Sequence, residues 1–177
     1  MHADIEKVLI DEGVIQKRLD ILAEKLTHDF EGQSIVVVAL LKGAILFMAD
    51  LLRRVPLTME IECLNVSSYH GGTESSGTVE FLDKTLPDVK GRSVLILDDI
   101  LDTGGTLHAV MEKLTELGAT DVKTCVLLTK DIPRESVKEA NYSGFGIGSE
   151  FVVGYGLDYQ GKYRNLPYVG ILKESAI

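Results

Sequence analysis

Apolar residues recur at helical spacing in three stretches of the chain and as short, unbroken runs in several others. Ile15, Leu19, Leu22 and Leu26 fall on one face of a helix, with Asp11 ahead of them as an N-cap. Residues 44–52 read as a second helix, with Pro56 beyond its end. Leu107, Val110, Met111, Leu114 and Leu117 make the third, and Gly118 stands where it should stop. Residues 34–40, 59–66, 94–101 and 122–128 read as buried strands. Helix and strand alternate along the chain. That order predicts the α/β class, with a parallel sheet covered on both faces. Residues 151–153 and 169–172 are shorter apolar runs, expected as strands of a separate cap.

The third strand and third helix meet in the most informative stretch of the chain. Val94-Leu95-Ile96-Leu97 runs into Asp98-Asp99, then Ile100-Leu101, then Asp102-Thr103-Gly104-Gly105-Thr106-Leu107. Open α/β sheets bind ligands in such loops, at the carboxyl ends of strands. Backbone N–H groups and hydroxyls from Thr103 to Thr106 at a helix N-terminus form an anion site. Gly104 and Gly105 allow the backbone to close around a phosphate. Asp98, Asp99 and Asp102 suit sugar hydroxyls, a metal ion or a proton instead. One phosphate beside carboxylates fits a phosphoribosyl group better than a nucleoside triphosphate.

Other nucleotide motifs compete poorly. No Gly-x-x-x-x-Gly-Lys-Ser/Thr run occurs, which argues against a P-loop ATPase. Gly144-Phe145-Gly146-Ile147-Gly148 resembles a dinucleotide fingerprint only superficially: polar Asn141-Tyr142-Ser143 precedes it and no helix pattern follows. A turn-rich connector is expected there.

Composition narrows the partners. With 177 residues the chain is expected to form one domain, residues 1–177, with a sizeable core. A net charge of −9 argues against nonspecific nucleic-acid binding. An anionic sugar phosphate must then be held by local devices: helix-end amides, a few placed cations and a divalent metal. Cys63 and Cys125 stand alone in apolar runs and are expected to be buried hydrophobes rather than a disulfide or zinc framework. No apolar stretch suggests a membrane span and no signal-peptide pattern opens the chain, so a cytoplasmic location is expected. Residues 67–78 are polar and glycine-containing, with almost nothing to bury, and are expected to form a flexible lid.

Two acidic residues, two aliphatics and Asp-Thr-Gly-x-Thr-Leu behind an apolar strand resemble the phosphoribosyl pyrophosphate motif of type I phosphoribosyltransferases. Leu41-Lys42-Gly43, Ser68-Tyr69, Leu128-Thr129-Lys130, the segment from Phe151 to Tyr159, and Tyr163-Arg164-Asn165-Leu166-Pro167 stand in the order of the hypoxanthine-guanine members. The resemblance runs from about residue 10 to the end of the chain.

The resemblance implies a parallel-sheet core with a small hood built from the terminal segments. It implies transfer of the 5-phosphoribosyl group from phosphoribosyl pyrophosphate to N9 of hypoxanthine or guanine, giving IMP or GMP and pyrophosphate. Asp102 would manage the proton at purine N7. Asp98 and Asp99 would engage the ribose hydroxyls, directly or through Mg²⁺, and Asp158 a second Mg²⁺. Many members carry Glu then Asp where this chain has Asp98 and Asp99, which leaves a water-bridged contact open for Asp98. Lys42, Gly43 and Arg164 would hold pyrophosphate, with a cis peptide between Leu41 and Lys42. Lys130 would donate to the purine O6, Phe151 would stack on the base, and the Val152 backbone would read its edge. Ser68 and Tyr69 would belong to the lid, and Arg134 would support the phosphate region. A homodimer or homotetramer is expected from the family alone. Two other readings stay open: a regulatory sensor of phosphoribosyl pyrophosphate with the same fold, and a transferase preferring adenine or xanthine.

Overall fold

The computed structural model describes residues 1–68, 79–134 and 136–177. Its main sheet has six strands in the order β4-β3-β2-β5-β6-β7. These are β2 (Ile35–Leu41), β3 (Met59–Ser68), β4 (Val79–Phe81), β5 (Ser93–Leu101), β6 (Asp121–Lys130) and β7 (Tyr142–Ile147). All neighbours are parallel except β3 and β4, which form an antiparallel pair. β2, β5 and β6 have continuous apolar runs in their centres because both faces of the sheet are covered there.

Helices α1 (Glu12–Asp29) and α2 (Ile45–Leu52) cover one face, packing with Ile35, Val37 and Ala39. Helix α3 (Gly105–Glu116) covers the other, with Val36, Val38 and Leu40. Ile15, Leu19, Leu22 and Leu26 of α1 are all buried, and each such side chain contributes about 1.5–3 kcal/mol. Asp11 caps α1 by accepting from the Val14 amide at 3.0 Å. Gly118, at φ 94°, ends the third helical segment.

The chain moves outward from β2 to β3 through α2, and in the opposite direction from β5 to β6 through α3. The reversal leaves a crevice between the carboxyl ends of β2 and β5, where open α/β sheets bind ligands. A second sheet stands beside it, with β1 (Ile5–Ile10), β9 (Val169–Leu172) and β8 (Val152–Val153) in the antiparallel order β1-β9-β8. A short 3₁₀ helix, Glu174–Ala176, follows β9.

Several expectations are corrected. Residues 144–148 are not a turn-rich connector, because most of them lie in edge strand β7. Gly144 is there for close approach: a Cβ would stand 2.4 Å from the Leu127 carbonyl oxygen on β6. Cys125 is buried but Cys63 is exposed. Cys63 pairs in register with Ala39, and the helices on that side reach over β2 and β5 without covering β3. Ser67 and Ser68, where the expected lid begins, form the end of β3, opposite Glu80 and Val79. Tyr69 and the rest of the expected lid, residues 69–78, lie outside the described residues. Phe151 precedes β8 rather than opening it, and is 52% exposed.

Candidate active site

The crevice holds a cavity of about 340 Å³. β2 and the turn after it supply Leu41, Lys42 and Gly43, and β5 with its following loop supplies Asp98 through Gly104. The Leu41–Lys42 peptide is cis, as the resemblance implied. Gly43 is pressed against Asp99 so closely that a Cβ would fall 1.7 Å from Asp99 Oδ2. The glycine is therefore a condition for the carboxylate's position, a contact invisible in the linear motif.

Asp98 Oδ1 accepts from the Asp99 amide at 3.0 Å. Burial, and then the neighbouring Asp99 charge, push the Asp98 carboxyl well above the usual carboxylate range. Burial also raises Asp99, against the opposing pull of its hydrogen bonds and the Arg164 charge. Two crowded carboxylates at a cavity wall invite a positive counter-charge. Among the described residues no cluster of three or more His, Cys, Asp or Glu is arranged to cage a metal. Oxygen donors without a cage suit Mg²⁺, which keeps waters and takes one or two carboxylates plus substrate oxygens.

The anion loop follows. Thr103, Gly104 and Thr106 line the cavity, while Gly105 opens α3 behind them. Gly104 caps α3 in the left-handed region at φ 85°, and no side chain bonds to the helix end. A Cβ on Gly104 would meet the Val137 carbonyl oxygen at 2.9 Å, so residues 136–137 back the loop.

The far wall comes from the turn after β8. Arg164 Nη2 lies 2.6 Å from Asp158 Oδ1, and Arg164 Nη1 donates to the Gly156 carbonyl at 2.6 Å. Both side chains line the cavity. The residues expected to serve pyrophosphate and metal thus neutralise each other across it.

A second pocket of about 200 Å³ adjoins the first and shares Asp99, Ile100, Asp102 and Asp158 with it. Lys130, Phe151, Val152 and Leu157 complete its lining. Val152 comes from β8, the outer strand of the small sheet. Phe151 meets the Tyr159 ring edge-on, with centroids 5.8 Å apart. Lys130 Nζ stands 2.7 Å from Asp102 Oδ2. Arg134 ties the backbones beneath this pair together: Nε donates to the Asp102 carbonyl at 2.5 Å, and Nη2 to Leu101 at 3.1 Å and to the Lys130 carbonyl.

The expected substrate-contacting residues with described surroundings therefore converge on two adjoining pockets, with Gly105 just behind the wall and Arg134 beneath the Lys130–Asp102 pair rather than in either lining. Sequence reasoning did not assign Ile100, read as part of a buried strand, or Leu157, taken only as part of the Phe151–Tyr159 segment, to the site. Their signal was position: each sits directly beside a carboxylate of the site.

A parallel-sheet core, an acidic strand end and an anion loop at the switch point define a phosphoribosyl-handling protein. The model of the phosphoribosyl transferase domain matches residues 10–160, and the chain belongs to the type I phosphoribosyltransferase family. It is 46% identical over 174 residues to the hypoxanthine-guanine phosphoribosyltransferase of Streptococcus pneumoniae (strain ATCC BAA-255 / R6), covering 98% of this chain and 97% of that protein. It is 47% identical over 173 residues to the bifunctional protein TilS/HprT of Listeria innocua, where 98% of this chain matches only 27% of that protein. The chain spans about a quarter of the length of that bifunctional relative. The crystal structure of a hypoxanthine phosphoribosyltransferase from Staphylococcus aureus superposes with a TM-score of 0.93 at 43% identity, covering 99% of this chain and 96% of that one.

Proposed function

We propose that this protein transfers the 5-phosphoribosyl group of phosphoribosyl pyrophosphate to N9 of hypoxanthine or guanine, forming IMP or GMP and releasing pyrophosphate. The observation that carries this reading is the junction of the two pockets. An anion loop and ribose-sized acidic cavity open directly onto a pocket with an ammonium donor and an aromatic ring, and Asp102 belongs to both.

The 5′-phosphate sits on the amides and hydroxyls of Thr103–Thr106 at the α3 N-terminus. Asp98 and Asp99 take the ribose hydroxyls. Lys42, the Gly43 backbone and Arg164 hold the pyrophosphate, whose departure leaves oxocarbenium character at C1′. Placed cations stabilise charge developing on that leaving group. Phe151 stacks on the purine, Lys130 donates to O6 and the Val152 backbone borders the edge. Asp102 accepts the N7 proton while N9 attacks. Asp98, Asp99 and Asp158 are the residues that would hold Mg²⁺ with its waters and substrate oxygens. When bound, Mg²⁺ supplies Lewis-acid stabilisation of the pyrophosphate. Arg164 binds pyrophosphate in this reading only by exchanging its present partner, Asp158.

The test mixes hypoxanthine, phosphoribosyl pyrophosphate and Mg²⁺ and follows IMP and pyrophosphate. Stoichiometric appearance of both is expected. Binding of phosphoribosyl pyrophosphate without turnover of any purine would point instead to a sensor of the same fold. Preferential turnover of adenine or xanthine would move the protein to another branch. Assembly as a homodimer or homotetramer belongs to the same reading and is checked by light scattering after size exclusion. Among the described residues no helix is long and apolar enough to cross a membrane.

A further inference from the structure

The turn between the two sheets is held by a side chain that touches neither pocket. Gly154, Tyr155 and Gly156 are three consecutive residues with positive φ, at 96°, 50° and 105°. Gly154 abuts the Tyr168 carbonyl and Gly156 the Gly43 carbonyl, each too closely for a Cβ. A left-handed tyrosine between them is costly and persists only where its surroundings fix it. Its backbone amide donates to Leu166 O at 2.8 Å, and its ring is buried. Its hydroxyl crosses to the main core and donates to Asp50 Oδ2 of α2 at 2.5 Å.

Asp50 is itself surrounded. Gln16 of α1 donates to it at 3.4 Å, and Arg53 pairs with its other oxygen at 2.5 Å. Arg54 fastens the group by donating to the Asp50 carbonyl at 2.6 Å and to Gln16 Oε1 at 2.5 Å. Burial opposes the Asp50 charge, but the hydrogen bonds from Tyr155, Gln16 and Arg53 outweigh it and hold the carboxyl below its usual range. Burial and the bond to Asp50 push the Tyr155 phenol far up, so it remains a donor.

The same turn carries the functional far wall. Gly156 accepts from Arg164, Gly156 lies on the turn at Gly43, and Leu157 and Asp158 line the second pocket. α2 starts directly after Gly43 and Ala44. A shift of the 154–157 turn therefore moves purine and pyrophosphate contacts together and leaves the Thr103–Thr106 loop untouched.

We propose that the Tyr155–Asp50 hydrogen bond is a positioning link that sets the purine pocket and Arg164 against the main sheet. This rests on the functional reading above. The experiment compares Tyr155→Phe, Asp50→Ala and Asp50→Asn with wild type, well below their melting temperatures. For Tyr155→Phe the KM for hypoxanthine, and the KM for pyrophosphate in the reverse reaction, are each expected to rise about tenfold, the order of a lost hydrogen bond to a charged group. Asp50→Ala should match it. Asp50→Asn, which still accepts from the phenol, should stay within about threefold of wild type. The Tyr155→Phe/Asp50→Ala double variant should be no worse than either single change, as for partners in one interaction. Melting temperature separates the alternatives: a fall in stability with both KM values within about twofold means a merely structural role and overturns the inference. Should either Asp50 variant fail to fold, Tyr155→Phe alone decides through the same two constants. A wild-type protein that makes no nucleotide overturns the functional reading and this inference with it; an active wild type with an unaltered Tyr155→Phe overturns the inference alone.

Discussion

Lys130 and Asp102 form an ion pair at 2.7 Å, across the ends of adjacent strands β6 and β5. The two groups proposed to read O6 and to manage the N7 proton thus hold each other in the free protein. A purine that enters the pocket meets them as a unit. Its O6 and N7 lie side by side, so one donor and one acceptor set together recognise both atoms. Arg134, bonded to the carbonyls of both residues, fixes the spacing of their backbones.

Replacing Asp102 by Asn tests its part in this pair. Asn keeps the shape and an oxygen that accepts from Lys130, but takes no proton. General acid–base groups contribute about 10²–10⁴ in rate. Asp102→Asn is expected to lower kcat by that order while circular dichroism and melting temperature stay near wild type. Steady-state turnover within about threefold of wild type would remove Asp102 from proton transfer.

The sequence made the sheet centre and the anion loop readable for physical reasons. Strands β2, β5 and β6 are buried on both faces and so appear as unbroken apolar runs. The segment from Asp98 to Thr106 is one contiguous motif, so its residue types could be read together without knowing which neighbours the fold brings to them. β1 escaped notice because its burial is irregular, Ile5 and Ile10 buried with Glu6 and Lys7 exposed between, and its pairing with β9 shifts register twice. The glycines of β7 hid an edge strand whose close approach to Leu127 only the fold reveals. Cys63 was expected to be buried, yet it follows Glu62 in an alternating stretch and helix cover ends before β3. Within the site, individual residues were legible but their partners were not. Lys130 with Asp102, Arg164 with Asp158 and Gly43 with Asp99 are contacts that folding creates, and each changes the state in which substrate finds the residue.

The Gly43–Asp99 contact gives a second expectation. Alanine at 43 would place its Cβ 1.7 Å from Asp99 Oδ2, so the carboxylate must leave its position. A displacement of about 1 Å at a reacting centre costs about 10²-fold. Gly43→Ala is expected to reduce kcat/KM for phosphoribosyl pyrophosphate by that order. The KM for purine should change less, because Asp99 lies on the wall the two pockets share, whereas a Cβ at 43 meets neither Lys130 nor Phe151. Titration of both substrates checks the split; equal loss for both, or none, would count against the role given to Asp99.

Metal dependence follows from the crowding of Asp98 and Asp99 at the cavity wall. EDTA is expected to abolish nucleotide formation, and Mg²⁺ in excess of the chelator to restore it. Asp99→Asn should raise the Mg²⁺ concentration needed for half-maximal rate. A rate insensitive to EDTA would remove the metal from the reading.

The last expectation concerns which base is chosen. Hypoxanthine and guanine present an acceptor at C6, whereas adenine presents an amino donor. The charged Lys130 ammonium is donor-only. With a 6-oxopurine it exchanges part of its contact with Asp102 for one with O6, and every polar group stays paired. With adenine, donor faces donor, and the ammonium must either keep Asp102 from N7 or go unpaired in a closed pocket. Sites built around such a group reject mismatched analogues by about 10⁴–10⁵. Adenine is therefore expected to be at least about a thousandfold poorer than hypoxanthine in kcat/KM. Lys130→Ala should harm both oxopurines far more than adenine, since only they lose a hydrogen bond, and the gap between the bases should narrow. Competition of each base against labelled hypoxanthine measures both effects. Should adenine compete equally in the wild type, Lys130 does not read C6, and the 6-oxopurine assignment fails even if phosphoribosyl transfer stands.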